Sequence, residues 1–345
     1  MRKFDFVIGN PPYQEETSDE NGNKTFSPPV YDKFLDAAFK IADKVEMIHP
    51  ARFLSNSGST PKAWNQKMLN DEHFKILEYE EDATKVFPNT DIKGGVVISY
   101  HDKLAKFDAI QIFEKYQELN PILTKAKPHA DIDSLLAIIY TQNRLNLNSL
   151  YKDFPSAKED IGSEGKDSRF EKNIFSKLEY AFSEAPIENG IKTLGISNNK
   201  RVWRYIPDKY VDLTHPNLYK YKIAISVANG KGKFGEVLSN PEILSEGVAY
   251  TRSFIGVGAC DSESEALAIL KYIKTKFART MLSVLRSTQM TNPEVWKYVP
   301  LQDFTEKSDI DWSKPVSEID QQLYKKYNLT QEEIDFIETH VKEMV

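Results

Sequence analysis

Over its first hundred residues the chain switches repeatedly between two hydrophobic periods, and this limits its fold more than any other feature. Residues 4–8 read as a buried strand, 29–43 as an amphipathic helix, 45–49 as a strand, 60–71 as a helix, and 74–81 and 94–101 as strands. One face of a strand returns every second residue and one face of a helix about every 3.6, so the alternation marks successive β and α elements. Strands alternating with helices imply a mostly parallel sheet with helices packed on it. From Gln111 to about Leu150 the pattern is mostly helical. The polar stretch Ser156 to Asp167, with two glycines and mixed charges, is the best candidate for a flexible loop or boundary. Beyond it, Arg201 to Ile206 and Tyr221 to Val227 are rich in aromatic and β-branched residues, which suggests an α+β region. Near the C-terminus, Thr330-Gln331-Glu332-Glu333 reads as a helix start, with Thr330 as N-cap and Glu333 closing a capping box.

The first strand runs directly into Asn10-Pro11-Pro12-Tyr13. Asn-Pro-Pro is an ordinary turn signal after a strand, but the full Ile-Gly-Asn-Pro-Pro-Tyr string points to methyl transfer onto a planar amino nitrogen. Such a nitrogen is a poor nucleophile because its lone pair is delocalised into the ring. It needs acceptors for both hydrogens, and no strong base. The side-chain oxygen of Asn10 and the carbonyl of Pro11 can each take one, leaving the lone pair aimed at a methyl donor. The two prolines stiffen the loop, and Tyr13 offers a flat face for an extruded base.

These residues resemble the N6-adenine DNA methyltransferases of bacterial restriction-modification systems, in the subgroup whose target-recognition domain follows the catalytic domain. The resemblance extends through Val45-Glu46-Met47-Ile48-His49-Pro50-Ala51-Arg52-Phe53-Leu54, similar to the family's next strand and its P-x-R-F/W-L exit. It continues in Val86-Phe87-Pro88-Asn89 and Gly94 to Tyr100, where Phe87 takes the role of stacking on the second face of the target adenine; a core Phe beside a proline turn is the alternative reading. The resemblance implies an α/β fold: an incomplete class I (Rossmann-like) methyltransferase sheet at 1–110, an α+β target-recognition domain at 111–305, and an acidic helical tail at 306–345. It implies an adenine-specific DNA methyltransferase with S-adenosylmethionine as methyl donor and double-stranded DNA as partner.

Charge distribution bears on that partner more than the total does. Of the chain's net charge of −6, residues from Asp303 onward carry 11 acidic and 5 basic side chains, the whole excess. Between Lys222 and Arg286 there are 9 basic and 6 acidic side chains, so a local DNA-binding face is compatible with an acidic protein. A single cysteine, Cys260, in an apolar stretch reads as a packed thiol, excludes an internal disulfide and argues against a cysteine metal site. No apolar run is long enough to span a membrane and no secretory leader is recognisable, which fits a cytoplasmic enzyme.

Two segments in the second half carry DNA-binding candidates. Gly230-Lys231-Gly232-Lys233-Phe234-Gly235 matches GxGxxG. As a cofactor loop it should open a helix at its third glycine and meet an acid about twenty residues on. Instead Glu236 to Pro241 is β-rich and ends in proline, and Tyr250 stands at the acid's place. Two readings remain: a turn carrying Lys231 and Lys233 toward phosphates, or a solvated hairpin. Residues 265–286 read as one helix, with Lys271, Lys274, Arg279 and Arg286 off its apolar stripe. Lys274, Arg279 and Arg286 are candidate phosphate contacts, and Gln289 is a candidate reader of adenine in the major groove; a plain solvated face is the alternative for each charge.

By the resemblance, a glycine-rich turn and two further cofactor contacts belong upstream of Asn10, where only nine residues stand. The expectation is therefore a chain beginning at the fourth strand of a seven-stranded sheet, holding the substrate half, with residues 4–8 presenting an open edge. A separate chain would supply the cofactor half. Alternatives are a non-catalytic DNA specificity subunit, a truncated gene fragment, or a methyltransferase acting on RNA or on a protein glutamine.

Overall fold

The computed structural model describes residues 4–15, 27–55, 58–88, 90, 92–110, 113, 119–162, 164–286 and 288–344. Asn89, Ser287 and most of 111–118, which entered the sequence reading, lie outside them. The chain is mixed α/β and divides into two compact units, residues 1–120 and 121–345.

In the first unit, β1 (Phe4–Gly9) pairs in parallel with β2 (Ala42–Pro50), Gly9 standing beside Met47. Their crossover contains α1 (Tyr31–Ile41), which buries Tyr31, Leu35 and Ala38. After α2 (Lys62–Leu69) come β3 (Phe74–Glu80) and β4 (Val96–Asp102), and the strand order is β1-β2-β4-β3. β4 enters between β2 and β3 and is antiparallel to both. β1, β2 and β3 therefore share one direction, but two of the three pairings are antiparallel, which corrects the expectation of a mostly parallel sheet. A parallel neighbour requires a crossover of about a dozen residues or more, usually helical. Between β3 and β4 the described residues hold only the short 3-10 turn Ala83–Lys85, so the chain returns on itself. Gly95 makes that return fit: its φ is +78°, and a Cβ there would lie 2.4 Å from the Glu80 carbonyl oxygen.

Leu35, Val45, Phe53, Met68, Phe74 and Val97 form the core of this unit. On β1, Val7 packs against that core. Phe4, Phe6 and Ile8 alternate with it, point to the other face, and are 53%, 41% and 73% exposed. Among the described residues β1 is also the last strand of its sheet.

The second unit contains all but the first two residues of α3 (Leu119–Ala126), then β5 (Ile139–Tyr140), α4 (Leu147–Asp153), α5 (Ala157–Ile161) and α6 (Ile174–Lys177). The stretch read as a loop from Ser156 thus includes a helix, and Ala157 is fully buried. Two small sheets follow. β6 (Gly190–Ser197) joins β7 (Lys200–Pro207) and β10 (Val248–Tyr250); β8 (Tyr221–Ser226) lies between β9 (Glu242–Leu244) and β11 (Phe254–Cys260), with β5 beyond β11. Cys260 is buried, and burial pushes its thiol up to about 11, as a packed thiol requires.

The helix expected over 265–286 is two helices, α7 (Glu263–Lys274) and α8 (Lys276–Leu285). Thr275 ends one and starts the other: its hydroxyl donates to the Tyr272 carbonyl (2.6 Å) and accepts from the Ala278 amide (3.1 Å). The free amides of Lys276 and Phe277 donate to the carboxylate of Asp320 at 3.0 and 2.9 Å. Asp320 lies on α9 (Val316–Lys326), followed by α10 (Gln331–His340), whose Thr330/Glu333 capping box is present as read. Ile319, Leu323 and Ile337 are fully buried, so the acidic tail belongs to the second unit instead of forming a separate body. Its carboxylates meet basic partners there, Glu333 with Lys125 and Glu338 with Lys276.

Candidate functional site

At the end of β1 the chain passes Met47 so closely that a Cβ on Gly9 would lie 3.1 Å from the Met47 sulfur. Asn10 follows, exposed, and Pro11 is buried. The loop is then tied back to the approach of α1. The Tyr13 carbonyl accepts from the Val30 amide (3.1 Å), and the Glu15 amide donates to the Pro28 carbonyl (3.0 Å). These bonds fix Tyr13 relative to the strand end.

Tyr13 is half-buried, its hydroxyl is enclosed without a hydrogen-bond partner, and burial pushes its phenol up to about 12. Its ring meets that of Phe87 at 6.3 Å between centroids and 70° between planes. Phe87 is held by its amide, which donates to the Ala83 carbonyl at 2.8 Å at the end of the 3-10 turn after β3. The structure thus brings together two residues 74 positions apart that the sequence had paired by role, but edge to face. Stacking a base between them requires parallel rings about 7 Å apart, two van der Waals separations of about 3.5 Å. Parallel alignment of the two rings would require one of them to turn.

Beside Tyr13 lies a cavity of about 280 Å³, walled by Tyr31, Pro50, Arg52 and Thr60 among others. Pro50 ends β2, and Arg52 sits in the 3-10 turn Ala51–Ser55, its Nε donating to the Lys93 carbonyl at 2.5 Å. Tyr31, which lines the cavity, and His49, packed on it, were given no role by the sequence. Tyr31 stacks on the fully buried His49 (centroids 5.3 Å), whose Nε2 is 2.8 Å from the Ser99 hydroxyl. Burial lowers the His49 imidazole to about 4 and raises the Tyr31 phenol to about 12, so both stay neutral at pH 7. Their alternation with core residues looks like ordinary strand and helix packing, and only the fold places them behind the cavity. Among the described residues that wall the cavity there are acceptors and flat rings and no carboxylate. Among the described residues, no group of three or more His, Cys, Asp or Glu is placed to hold a metal ion.

The second-half candidates divide. Lys231 and Lys233 are exposed. Gly232 packs so tightly on the backbone of Thr288 that a Cβ would lie 2.3 Å from its carbonyl carbon, which brings this loop beside Gln289. Gln289 is half-buried, its main-chain oxygen accepting from Asn229 at 2.7 Å. Lys274 is half-buried at the end of α7. Arg279 and Arg286, expected as surface phosphate contacts, are 1% and 4% exposed. Arg279 donates to the carbonyls of Lys274, Gly235, Glu236 and Lys342, and Arg286 to that of Asn229. Both side chains, expected on a solvent face, turn inward and tie backbone segments together. Burial lowers both guanidinium groups, Arg279 to about 10.

The GxGxxG loop does not open a helix. Gly235 packs on the backbone of His340 and Val341 (a Cβ would meet them at 2.5 and 2.7 Å), and the loop amides bind a carboxylate of the same loop. The three glycines answer close packing, and the loop does not fit an S-adenosylmethionine site.

The fold is mixed α/β, and residues 1–87 match the family described as Eco57I restriction-modification methylase. More particularly, the chain is similar to a protein of Mycoplasma pneumoniae described as an uncharacterized adenine-specific methylase, at 32% identity over 100 residues, covering 28% of this chain and 23% of that relative. The match thus spans about a quarter of the relative's length. Among solved structures, the Type IIL restriction-modification enzyme MmeI in complex with DNA aligns over 97% of this chain and 56% of its own (10% identity, TM-score 0.41). The ATP-dependent Type ISP restriction-modification enzyme LlaBIII bound to DNA aligns over 98% and 30% (10% identity, TM-score 0.35). Among the described residues no helix is long and apolar enough to cross a membrane.

Proposed function

We propose that this chain binds DNA and presents a flipped adenine for methylation at N6 within a restriction-modification system, with S-adenosylmethionine as donor. The observation that carries this reading is the juxtaposition of the Asn10–Tyr13 loop at the end of β1 with Phe87, beside the Tyr13 cavity. In this proposal Asn10 Oδ1 and the Pro11 carbonyl accept the two amino hydrogens, Pro12 stiffens the loop, and Tyr13 and Phe87 close on the base. Lys231, Lys233 and Lys274 contact backbone phosphates and Gln289 reads a base edge. The functional assignment of the segments is proposed with it: catalytic substrate half at 1–110, incomplete class I sheet included, and recognition domain at 111–305, with the acidic tail at 306–345 packed into the second unit.

The GxGxxG loop, packed on neighbouring backbone and filled by its own carboxylate, does not fit the donor. β1 is an edge strand with Phe4, Phe6 and Ile8 uncovered, and such an edge accepts further strands. The reading therefore places the donor on strands added beyond β1, from a separate chain or from another part of a longer polypeptide. The test is genetic complementation: N6-methyladenine in digested host DNA is quantified by mass spectrometry after deletion of the gene and its return as wild type or Asn10→Ala. Loss on deletion, restoration by wild type and at least a hundredfold lower restoration by Asn10→Ala are expected. Full restoration by Asn10→Ala would remove Asn10 from the chemistry and leave a non-catalytic specificity subunit.

A further inference from the structure

The loop from Gly230 to Glu236 already holds an anion, and it is the protein's own. The amides of Lys231 (3.0 Å to each oxygen) and Gly232 (2.9 Å) donate to the Glu236 carboxylate. Gly230, at φ +50°, turns successive N–H groups toward one point, and the carboxylate lies so close that a Cβ on Gly230 would meet Glu236 Oε2 at 2.3 Å. Consecutive amides arranged this way form a nest for oxyanions. Behind it stands the Arg286 guanidinium, its side chain 2% exposed, with Nη2 3.5 Å from Glu236 Oε2 and 2.6 Å from the Asn229 carbonyl. Its Nε is buried without a partner. Lys231 and Lys233, on the same loop, are exposed, and the Glu236 side chain is itself 15% exposed.

A planar carboxylate therefore fills the nest yet leaves one buried cationic donor unused. A tetrahedral oxyanion offers more acceptor oxygens in more directions, and can use the amides together with the Arg286 guanidinium, whose Nη2 already stands 3.5 Å from the carboxylate. We propose that this loop is a phosphodiester-binding site kept closed by Glu236: a DNA backbone phosphate displaces the carboxylate, which swings to solvent, and the nest amides with Arg286 receive the phosphate between Lys231 and Lys233. Arg286 acts from inside the loop, in keeping with its burial. The inference rests on the DNA-binding reading above for the source of the phosphate, and on the loop geometry alone for the nest.

The experiment uses the full chain with Glu236→Asp and Glu236→Gln. Aspartate keeps the charge but is one methylene too short to fill the nest, so it separates release of the nest from simple removal of a negative charge. Binding of a fluorescent generic duplex is measured by anisotropy across a potassium chloride series, and melting temperature is followed with added inorganic phosphate. Both variants are expected to bind the duplex at least threefold more tightly than wild type, with the log affinity against log salt slope steeper by about one. Inorganic phosphate is expected to raise the melting temperature of Glu236→Asp more than that of wild type. Tighter binding by Glu236→Gln alone overturns the proposal, since charge removal then suffices. Failure of both variants to fold overturns it too, because Glu236 is then only a structural pin. Phosphate stabilisation of Glu236→Asp without duplex binding by any form would uphold the nest and sink the DNA reading.

Discussion

Arg279→Lys distinguishes a buried tie from a surface phosphate contact. The Arg279 guanidinium donates from Nε to Lys274 (3.1 Å), from Nη1 to Gly235 (3.2 Å) and Glu236 (3.4 Å), and from Nη2 to Lys342, always to a main-chain carbonyl. Lysine keeps the charge but carries one ammonium on a flexible stem and cannot reach carbonyls spread along both sides of a planar fork. Losing two or three of these bonds, at about 1 kcal/mol or somewhat more each because the donor is charged and the site buried, destabilises the second unit by about 3 kcal/mol. For a unit of this size each kcal/mol moves the melting temperature by about 2–4 °C, so the expected fall is about 6–12 °C. The assay is urea unfolding followed by the fluorescence of Trp296 and Trp312, with a lower midpoint and an unchanged slope expected. Stability unchanged within about 0.5 kcal/mol would refute the structural role, because an exposed Arg-to-Lys exchange has an effect of that size.

Acidification should loosen the first unit through His49. Its imidazole is held near 4 in the fold against an ordinary 6.5, so the unfolded chain takes up the proton first. The stability it contributes is complete above pH 6.5 and is lost as pH falls toward 4, about 2 kcal/mol of it by pH 5. Unfolding curves read at Trp64 should show this slope, and His49→Gln should flatten it; an equal slope in the variant would assign the effect elsewhere. At the sheet edge, Ile8→Lys should leave thermal stability within about 0.5 kcal/mol, since Ile8 is 73% exposed. It should reduce self-association of the isolated chain in light scattering and abolish complementation of methylation in the host. Normal complementation would mean that nothing docks on this strand.

Local pattern carried much of the first unit. β1, β2, β3, β4, α1 and α2 lie where the alternating periods placed them, within a few residues at each end, because side-chain period depends only on neighbours along the chain. The Thr330 capping box was legible for the same reason. The break between α7 and α8 was not, since the apolar stripe continues through Thr275 and the amides freed there are satisfied by Asp320, 45 residues away from that threonine. At the site, the Asn10–Tyr13 loop and its link to Phe87 were readable from residue types, whereas the edge-to-face arrangement of the two rings was not.

What the sequence alone determined is the sequence of elements, the loop that ends the first strand, the packed Cys260 and the concentration of acid after residue 303. Only the tertiary structure decided that β4 inserts against the direction of its neighbours, that Arg279 and Arg286 turn inward, and that Glu236 occupies the nest of its own loop. The physical reason is common to all three. A strand's neighbours, a buried guanidinium and a carboxylate in a nest are each defined by backbone groups brought in from distant positions, and a linear pattern records a residue's charge and period but not which distant donors and acceptors will meet it.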